Sequence, residues 1–210
     1  MCGIVGIMDS HSVADRDILA TMRDTMRHRG PDDAGLWWDD RSQVGLGHRR
    51  LPIVDLSPGG HQPMIDESGK FVLVYNGEIY NYRQLCEELT AKGHQFRSAS
   101  DTEVILEAYR AWGTDCVSRF NGMFAFALYD VDAGRLFLAR DRAGQKPLYY
   151  LHDGDRMVFA SELKAIMADP AFRREINLEA LDHYLAYGYV PGSLCMLQGV
   201  VKLPPAHCLT

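Results

Sequence analysis

The 210-residue chain lacks the features that mark several large classes of protein. Its first twenty residues have neither the basic start nor the long apolar stretch of a signal peptide, and no apolar run is long enough to span a bilayer. The net charge is −6, and acidic and basic residues are mixed along the chain, so no nucleic-acid surface is expected. We therefore expect a globular, cytoplasmic protein that contacts neither nucleic acid nor membrane.

Cysteine and metal-binding patterns are also sparse. The five cysteines are odd in number and show no CxxC spacing, which argues against a disulfide framework and against a zinc site. No acidic or histidine pair has convincing metal spacing, so no metal site is predicted. His48 lies in or at the edge of a predicted strand, where a packed histidine is favoured over a base.

What the chain does contain is an alternation of short strands and amphipathic helices. KFVLVYN predicts a strand, and EIYNYRQLCEELTAKGH predicts a helix that ends at Gly93. In SDTE, Ser100 can cap the next helix while Glu103 reaches back, the pattern of a capping box. MFAFALYD, RLFLARD, PLYYL and RMVFAS then predict successive hairpins. Antiparallel hairpins with grouped helices predict an α+β fold.

The composition changes towards the end of the sequence. Residues 191–210 become rich in proline and glycine and predict the start of a linker. We therefore assign residues 1–190 to one domain and residues 191–210 to a connection towards a further domain.

Cys2 has the most unusual position of the five cysteines. Removal of Met1 would place a free amine beside its thiol, and an α-amine titrates close enough to neutrality to accept the thiol proton. A terminal cysteine can therefore carry its own base. Taken alone, however, a small buried residue near the chain start is the favoured interpretation.

Three further motifs carry candidate site residues. Asn76 and Gly77 offer a side-chain amide and a backbone N–H, the two kinds of donor that form an oxyanion hole, although Asn-Gly is also a common turn. Arg50, the second of an adjacent pair, can hold a carboxylate through two hydrogen bonds or form a surface ion pair. Asp101 can bind an ammonium group or simply favour a helix N-terminus. In isolation, we favour the structural alternative for each.

Together, the motifs resemble those of class II glutamine amidotransferases, and most closely the N-terminal glutaminase domain of glutamine-hydrolysing asparagine synthetase. Nine segments carry this resemblance, in order: MCGIVGI, RHRGPDD, RRLPIVDLS, HQPM, YNGEIYNY, SDTEVIL, NGMFAFALYD, ARDRAGQKPLYY and FASELKAI. The resemblance implies the fold of N-terminal-nucleophile hydrolases, a four-layer αββα sandwich with two antiparallel sheets.

The resemblance also implies roles for particular residues. It makes Cys2 the nucleophile, and Asn76 with the Gly77 N–H the oxyanion hole. It makes Arg50 the clamp for the glutamine α-carboxylate, with the backbone of Leu51, Pro52, Ile53 and Val54 lining the same pocket. Glu78 and Asp101 are then expected to hold the α-amine.

The implied reaction is hydrolysis of L-glutamine to glutamate and ammonia, with no cofactor in this domain. The ammonia would supply ATP- and Mg²⁺-dependent synthesis of asparagine by a C-terminal synthetase domain of the same chain. The SGGxDS-type phosphate loop of such a domain does not occur in this sequence. Two alternatives stay open, a catalytically silent glutamine-binding or assembly domain and an amidotransferase for a carboxylate other than aspartate. A homodimer is also left open.

Overall fold

The computed structural model describes residues 1–10, 14–52 and 58–210. The strands and helices of these residues follow one another as β1 (Gly3–Asp9), α1 (Arg16–Asp24), β2 (Asp33–Asp39), β3 (Val44–Arg50), β4 (Met64–Ile65), β5 (Phe71–Ile79), α2 (Tyr82–Ala91), α3 (Asp101–Trp112), β6 (Gly122–Asp130), β7 (Arg135–Arg140), β8 (Tyr149–Asp153), β9 (Arg156–Ala160), α4 (Leu163–Met167), α5 (Leu178–Tyr187), β10 (Val200–Lys202) and β11 (Cys208–Leu209).

In the part of the chain that the structure describes, the strands form two antiparallel sheets. The first sheet has the order β10-β8-β9-β1-β3-β2, and the second has the order β11-β7-β6-β5-β4. Strands β1, β3 and β9 pair along the centre of the first sheet, while β5 and β6 pair along nine residues in the second. The predicted hairpins β6–β7 and β8–β9 are therefore present, although they belong to different sheets.

Three buried clusters hold the layers together. One cluster joins the outer face of the first sheet to helices α1 and α4, and it contains Leu19, Met22 and Ile166. A second fills the space between the sheets, with Ile4 from one side and Val72 and Val74 from the other. A third joins the second sheet to helices α2 and α3. Three interfaces separate four layers, so the predicted αββα sandwich is confirmed.

The sequence patterns misplace one boundary around the site. Strand β5 continues through Asn76 and Gly77 to Ile79, so this dipeptide is not a turn, and helix α2 begins only at Tyr82. The β-strand continues because these residues pair with β6 from Gly77–Phe124 to Ile79–Gly122. Tertiary pairing overrides the local preference of Asn-Gly for a turn.

The capping box is only half right. The Ser100 hydroxyl accepts a hydrogen bond from the Thr102 N–H at 3.2 Å and caps helix α3, as predicted. The Glu103 carboxylate does not close the box on Ser100. Instead it accepts hydrogen bonds from the backbone N–H groups of Arg97 and Ser98, because the preceding loop folds back over the first turn.

The last twenty residues take part in both sheets. Val200–Lys202 pairs with β8, and Cys208–Leu209 pairs with β7. The sheets thus extend beyond residue 190, and the domain boundary assigned there stays a prediction. No helix among the described residues is long and apolar enough to cross a membrane.

Candidate active site

A cleft opens between the two sheets beside the start of β1, the end of β3 and the middle of β5. Counted to its open mouth, it contains about 530 Å³ of space, part of which is open solvent. The described lining residues are Met1, Cys2, Arg50, Leu51, Pro52, Gly60, Gln62, Tyr75, Asn76, Gly77, Glu78, Ser100, Asp101, Thr102 and Lys146. Every predicted site residue in the described ranges lies there, whereas Ile53 and Val54 fall outside those ranges.

Strand alternation brings Cys2, Arg50 and Asn76 into this cleft. Side chains two residues apart face the same side of a sheet, and Ile4, Leu46 and Val74 all pack between the two sheets. Cys2 and Asn76 therefore continue the inward-facing rows of β1 and β5, and Arg50 continues that of β3. Because Gly3 pairs with Arg49, the next position in the same register sets Cys2 opposite Arg50.

The thiol of Cys2 lies against the chain that leaves β3. Its sulfur is 3.5 Å from the Leu51 backbone nitrogen, which donates to it, and 3.6 Å from the Leu51 carbonyl oxygen, to which the thiol donates. Leu51 thus contributes to the site through its backbone. Met1 is about half exposed and lines the same cleft, so it occupies space beside the thiol.

Opposing effects act on the ionisation of this thiol. Burial raises the pKa of Cys2 above its ordinary value, while the Leu51 N–H, the terminal ammonium, and the guanidinium groups of Arg50 and Arg29 act to lower the pKa. Burial dominates, so the thiol is mostly protonated at neutral pH. A thiol of this kind needs a neighbouring base before it can attack a carbonyl group.

Arg29 positions the backbone of Cys2, a role that sequence reasoning missed. Its Nε donates to the Cys2 carbonyl oxygen at 2.8 Å, and its Nη1 donates to Glu162 Oε1 at 3.0 Å. Ser161 completes the support, because its hydroxyl accepts a hydrogen bond from the Ile4 N–H at 3.0 Å. The motifs RHRGPDD and FASELKAI contain these residues, but their spacing along the chain gives no sign that they meet.

Asn76 is the least satisfied polar side chain in the cleft. Only 1% of the residue is exposed, and neither its amide nitrogen nor its amide oxygen has a hydrogen-bond partner among the described residues. Most buried polar groups are paired, and an unpaired one costs about 1–3 kcal/mol. This unpaired amide belongs to a residue that lines the same cleft as the Cys2 thiol, so a molecule bound there can pair with it.

Gly77 allows the close approach of β5 and β6 next to Asn76. A Cβ atom at this position would lie 2.2 Å from the Met123 carbonyl oxygen and 2.7 Å from Phe124 Cα. Such contacts are not possible, so only glycine fits without moving one strand. The requirement for glycine here arises from strand packing in addition to any role of its N–H.

Two carboxylates line the part of the cleft next to helix α3. Asp101 is 5% exposed, and its Oδ2 accepts hydrogen bonds from the Tyr75 hydroxyl at 2.7 Å and from the Ile79 N–H at 3.0 Å. Burial raises the pKa of Asp101, although these two donors act in the opposite direction. Glu78, half-buried on β5, also faces the cleft, so the pair can receive a positively charged group.

Gln62 connects the β4 side of the cleft to β5. Its Oε1 accepts a hydrogen bond from the Tyr75 N–H at 2.6 Å, and its Nε2 donates to the Thr102 hydroxyl at 3.3 Å. The strand that carries Asn76 is thereby tied to the first turn of α3, which carries Asp101. The motif HQPM contained this residue, but nothing in its pattern indicated that a side chain would bridge two elements.

His48 is a structural residue, as the sequence indicated. Its ring is fully buried, and its Nε2 lies 3.1 Å from the Tyr75 carbonyl oxygen, which links β3 to β5 across the two sheets. Burial lowers the pKa of His48 to about 3, with the Tyr75 hydrogen bond acting in the opposite direction. The ring is therefore neutral at physiological pH.

This buried histidine predicts a loss of stability in acid. Below the ordinary histidine pKa of about 6.5, the unfolded chain binds a proton that the native ring refuses until about pH 3. The free energy of unfolding should therefore fall as pH decreases across this window. Melting curves of a His48→Gln variant should show a shallower decline between pH 7 and pH 4.5 than those of the wild type.

A variant at His152 is the matched control, because this histidine is exposed and its removal leaves the buried His48 in place. His152→Gln should keep the pH dependence of the wild type. An unchanged decline in the His48→Gln protein would show that other groups control acid unfolding.

Comparison with known proteins finds a matching family model and relatives of similar sequence. The family model described as "Glutamine amidotransferase domain" matches residues 1–210. The chain is 41% identical to "Asparagine synthetase [glutamine-hydrolyzing] 3" of Bacillus subtilis, over 100% of this chain and 34% of that protein. It is 40% identical to "Putative asparagine synthetase [glutamine-hydrolyzing] 2" of Methanocaldococcus jannaschii, over 97% of this chain and 42% of that protein.

Solved structures support the fold. The glutamine phosphoribosylpyrophosphate amidotransferase of B. subtilis, solved with ADP and GMP, superposes with a TM-score of 0.66 at 23% identity. The match covers 84% of this chain and 45% of that one. The chain spans only about a third to two-fifths of the length of the two curated relatives above.

Proposed function

Because this chain belongs to the glutamine amidotransferase domain family, in its class II branch, we propose that it hydrolyses L-glutamine to glutamate and ammonia with Cys2 as nucleophile. The observation that carries the proposal is the unpaired, buried amide of Asn76 in the same cleft as the Cys2 thiol. A thiol supplies the attacking atom, and an unsatisfied amide supplies a donor for the charge that the attack creates.

The charges in the cleft match the charges of glutamine. Arg50 lies opposite Cys2 in the strand register and lines the cleft, where its guanidinium would hold the α-carboxylate. Glu78 and Asp101 would receive the α-ammonium group. A glutamine bound at both charged ends would then extend its side-chain amide towards Cys2 and Asn76.

The proposed reaction uses groups of the chain itself. Once Met1 is removed, the Cys2 α-amine takes the thiol proton and the sulfur attacks the amide carbon. The carbonyl electron pair moves to oxygen, where Asn76 and the Gly77 N–H would donate to it. The carbon–nitrogen bond then breaks, the amine returns its proton to the leaving nitrogen, and ammonia departs. Water hydrolyses the resulting thioester to glutamate.

The use of the ammonia belongs to a larger protein. The asparagine synthetases matched here are longer than this chain, which supports a C-terminal synthetase region as the proposed consumer. We propose aspartate as the acceptor in an ATP- and Mg²⁺-dependent step there, with another carboxylate as the alternative. A linker after residue 190, a cytoplasmic location and a reaction without a cofactor in this domain stay predictions of the sequence, and a homodimer stays open.

A glutaminase assay linked to mass spectrometry tests the proposal. Protein whose mass shows loss of Met1 should release glutamate and ammonia from glutamine in equal amounts. The second candidate, a silent glutamine-binding domain, would bind glutamine in a calorimeter and release no glutamate. Processed protein that neither binds nor hydrolyses glutamine would contradict both.

A further inference from the structure

Lys146 is a buried cation of the cleft that has no place in the mechanism above. Only 7% of the residue is exposed, and it lines the same cleft as Cys2 and Asn76. In the described ranges, its ammonium group makes no hydrogen bond or ion pair, and because its nitrogen is not among the fully buried unpaired atoms, it reaches the open space of the cleft. Lysines are rarely buried without a partner, because removing a charge from water is costly.

The backbone of Lys146 is fixed on both sides. Its N–H donates to Asp141 Oδ2 at 3.0 Å, and its carbonyl oxygen accepts from Arg140 Nε at 2.8 Å. Asp141, itself fully buried, also accepts from the N–H groups of Ala143 and Gln145 and so shapes the loop that precedes Lys146. These hydrogen bonds fix the backbone at Lys146, and the loop thereby directs the Lys146 side chain into the cleft.

The same aspartate places this loop next to the proposed oxyanion hole. Asp141 Oδ2 accepts the Phe124 N–H at 3.2 Å as well as the N–H of Lys146. Phe124 is the partner of Gly77 in the pairing of β5 with β6. The backbone of Lys146 is therefore held next to β6, the strand that pairs with Gly77.

Sheet order separates Lys146 from the other cation of the cleft. Arg50 ends β3, on one side of β1, whereas Lys146 lies in the connection from β7 to β8, on the other side. Cys2 and Asn76 lie between these two sides. Lys146 therefore enters the cleft from the side opposite Arg50, which favours a role away from the carboxylate that Arg50 would hold.

We propose that Lys146 is a further catalytic residue, whose ammonium group stabilises the negative charge on the substrate's amide oxygen together with Asn76 and Gly77. This inference rests on the proposed glutaminase activity. The charge forms when the Cys2 sulfur bonds to the amide carbon and the carbonyl electron pair moves to oxygen. An ammonium group on a largely buried side chain interacts with that charge more strongly than it would in bulk water.

Turnover of a Lys146→Met variant gives the first test. Methionine keeps the length of the side chain and removes the charge, so kcat should fall on the order of 10²-fold while KM changes little. Lys146→Arg should recover most of the loss, since it restores a positive charge. Lys70→Met, at an exposed lysine on the surface, is the matched control and should leave kcat unchanged.

Binding of an aldehyde analogue gives a readout that does not depend on turnover. Glutamate γ-semialdehyde can add the Cys2 thiol and place an oxygen where the oxyanion forms. Its affinity should fall in Lys146→Met in parallel with kcat, whereas the affinity for glutamate should not. Melting curves identify variants that have lost their fold, and Lys146→Gln then replaces Lys146→Met.

Two results would overturn the inference while leaving the proposed function intact. One is wild-type kcat in a folded neutral variant, and the other is an equal loss in the arginine and methionine variants. A rise in KM at constant kcat would instead identify Lys146 as a binding residue and would also contradict the proposal. A wild-type protein that neither hydrolyses glutamine nor binds the aldehyde would contradict the proposed function itself.

Discussion

Replacing Cys2 by alanine is expected to abolish glutamate release while leaving the fold in place. The substitution removes the only atom proposed to bond to the substrate, and loss of a hydrolase nucleophile costs on the order of 10⁶ in kcat. The residue precedes β1, and its sulfur contacts the Leu51 backbone at 3.5 and 3.6 Å, so little packing is lost. Glutamate formation and melting temperature, measured on the same preparation, test both halves of this expectation.

The processing of Met1 has to be equal in the two proteins for this comparison to be valid. Alanine is as small as cysteine at the second position, so both chains should lose Met1, and intact mass verifies this. Cys208→Ala, at an exposed cysteine on strand β11, should retain full activity. If processed Cys2→Ala protein still releases glutamate at the wild-type rate, Cys2 is not the nucleophile.

The same activity assay also tests whether Met1 has to be removed before Cys2 can react. In the structure, Met1 lines the cleft and the amine of Cys2 is engaged in a peptide bond. Burial raises the pKa of the thiol, so its ionisation in the proposed reaction depends on the freed amine. Protein that keeps Met1 should therefore be nearly as inactive as Cys2→Ala, and activity should rise in proportion to the processed fraction.

The fold could be predicted from the sequence because its signals are periodic. Alternating apolar residues such as Val72 and Val74 face one core, and Leu73 and Tyr75 face another, so the strand and its two buried faces follow from one pattern. The exception was the end of β5. Local preference favours a turn at Asn76-Gly77, and only pairing with Ala125 and Phe124, much later in the sequence, keeps the chain extended.

The candidate site likewise contains residues that the sequence could identify and residues that only the folded structure identifies. Residues with distinctive local chemistry could be assigned from motifs, as the meeting of Cys2, Arg50 and Asn76 in one cleft illustrates. Arg29 and Lys146 could not, because their function depends on contacts between elements far apart in sequence. The hydrogen bond from Arg29 to Cys2 and the placement of Lys146 next to β6, the strand that pairs with Gly77, exist only after both sheets have formed.

Asn76→Ala should separate catalysis from stability more clearly than any other substitution in the cleft. Loss of one oxyanion donor lowers kcat by about 10²–10³-fold. KM should change little, because the amide donates to a charge that is absent from bound glutamine. Most losses of activity in buried residues are confounded by unfolding, but here the deleted amide has no hydrogen-bond partner among the described residues.

The stability of this variant follows from the same observation. Removing an unpaired buried amide relieves a desolvation cost of about 1–3 kcal/mol, which offsets the packing lost with the side chain. The melting temperature of Asn76→Ala should therefore stay close to that of the wild type. Asn121→Ala, at an exposed asparagine just before β6, is the matched control and should keep full activity. A large fall in melting temperature, or a kcat within threefold of wild type, would mean that the Asn76 amide supports the strand instead of the oxyanion.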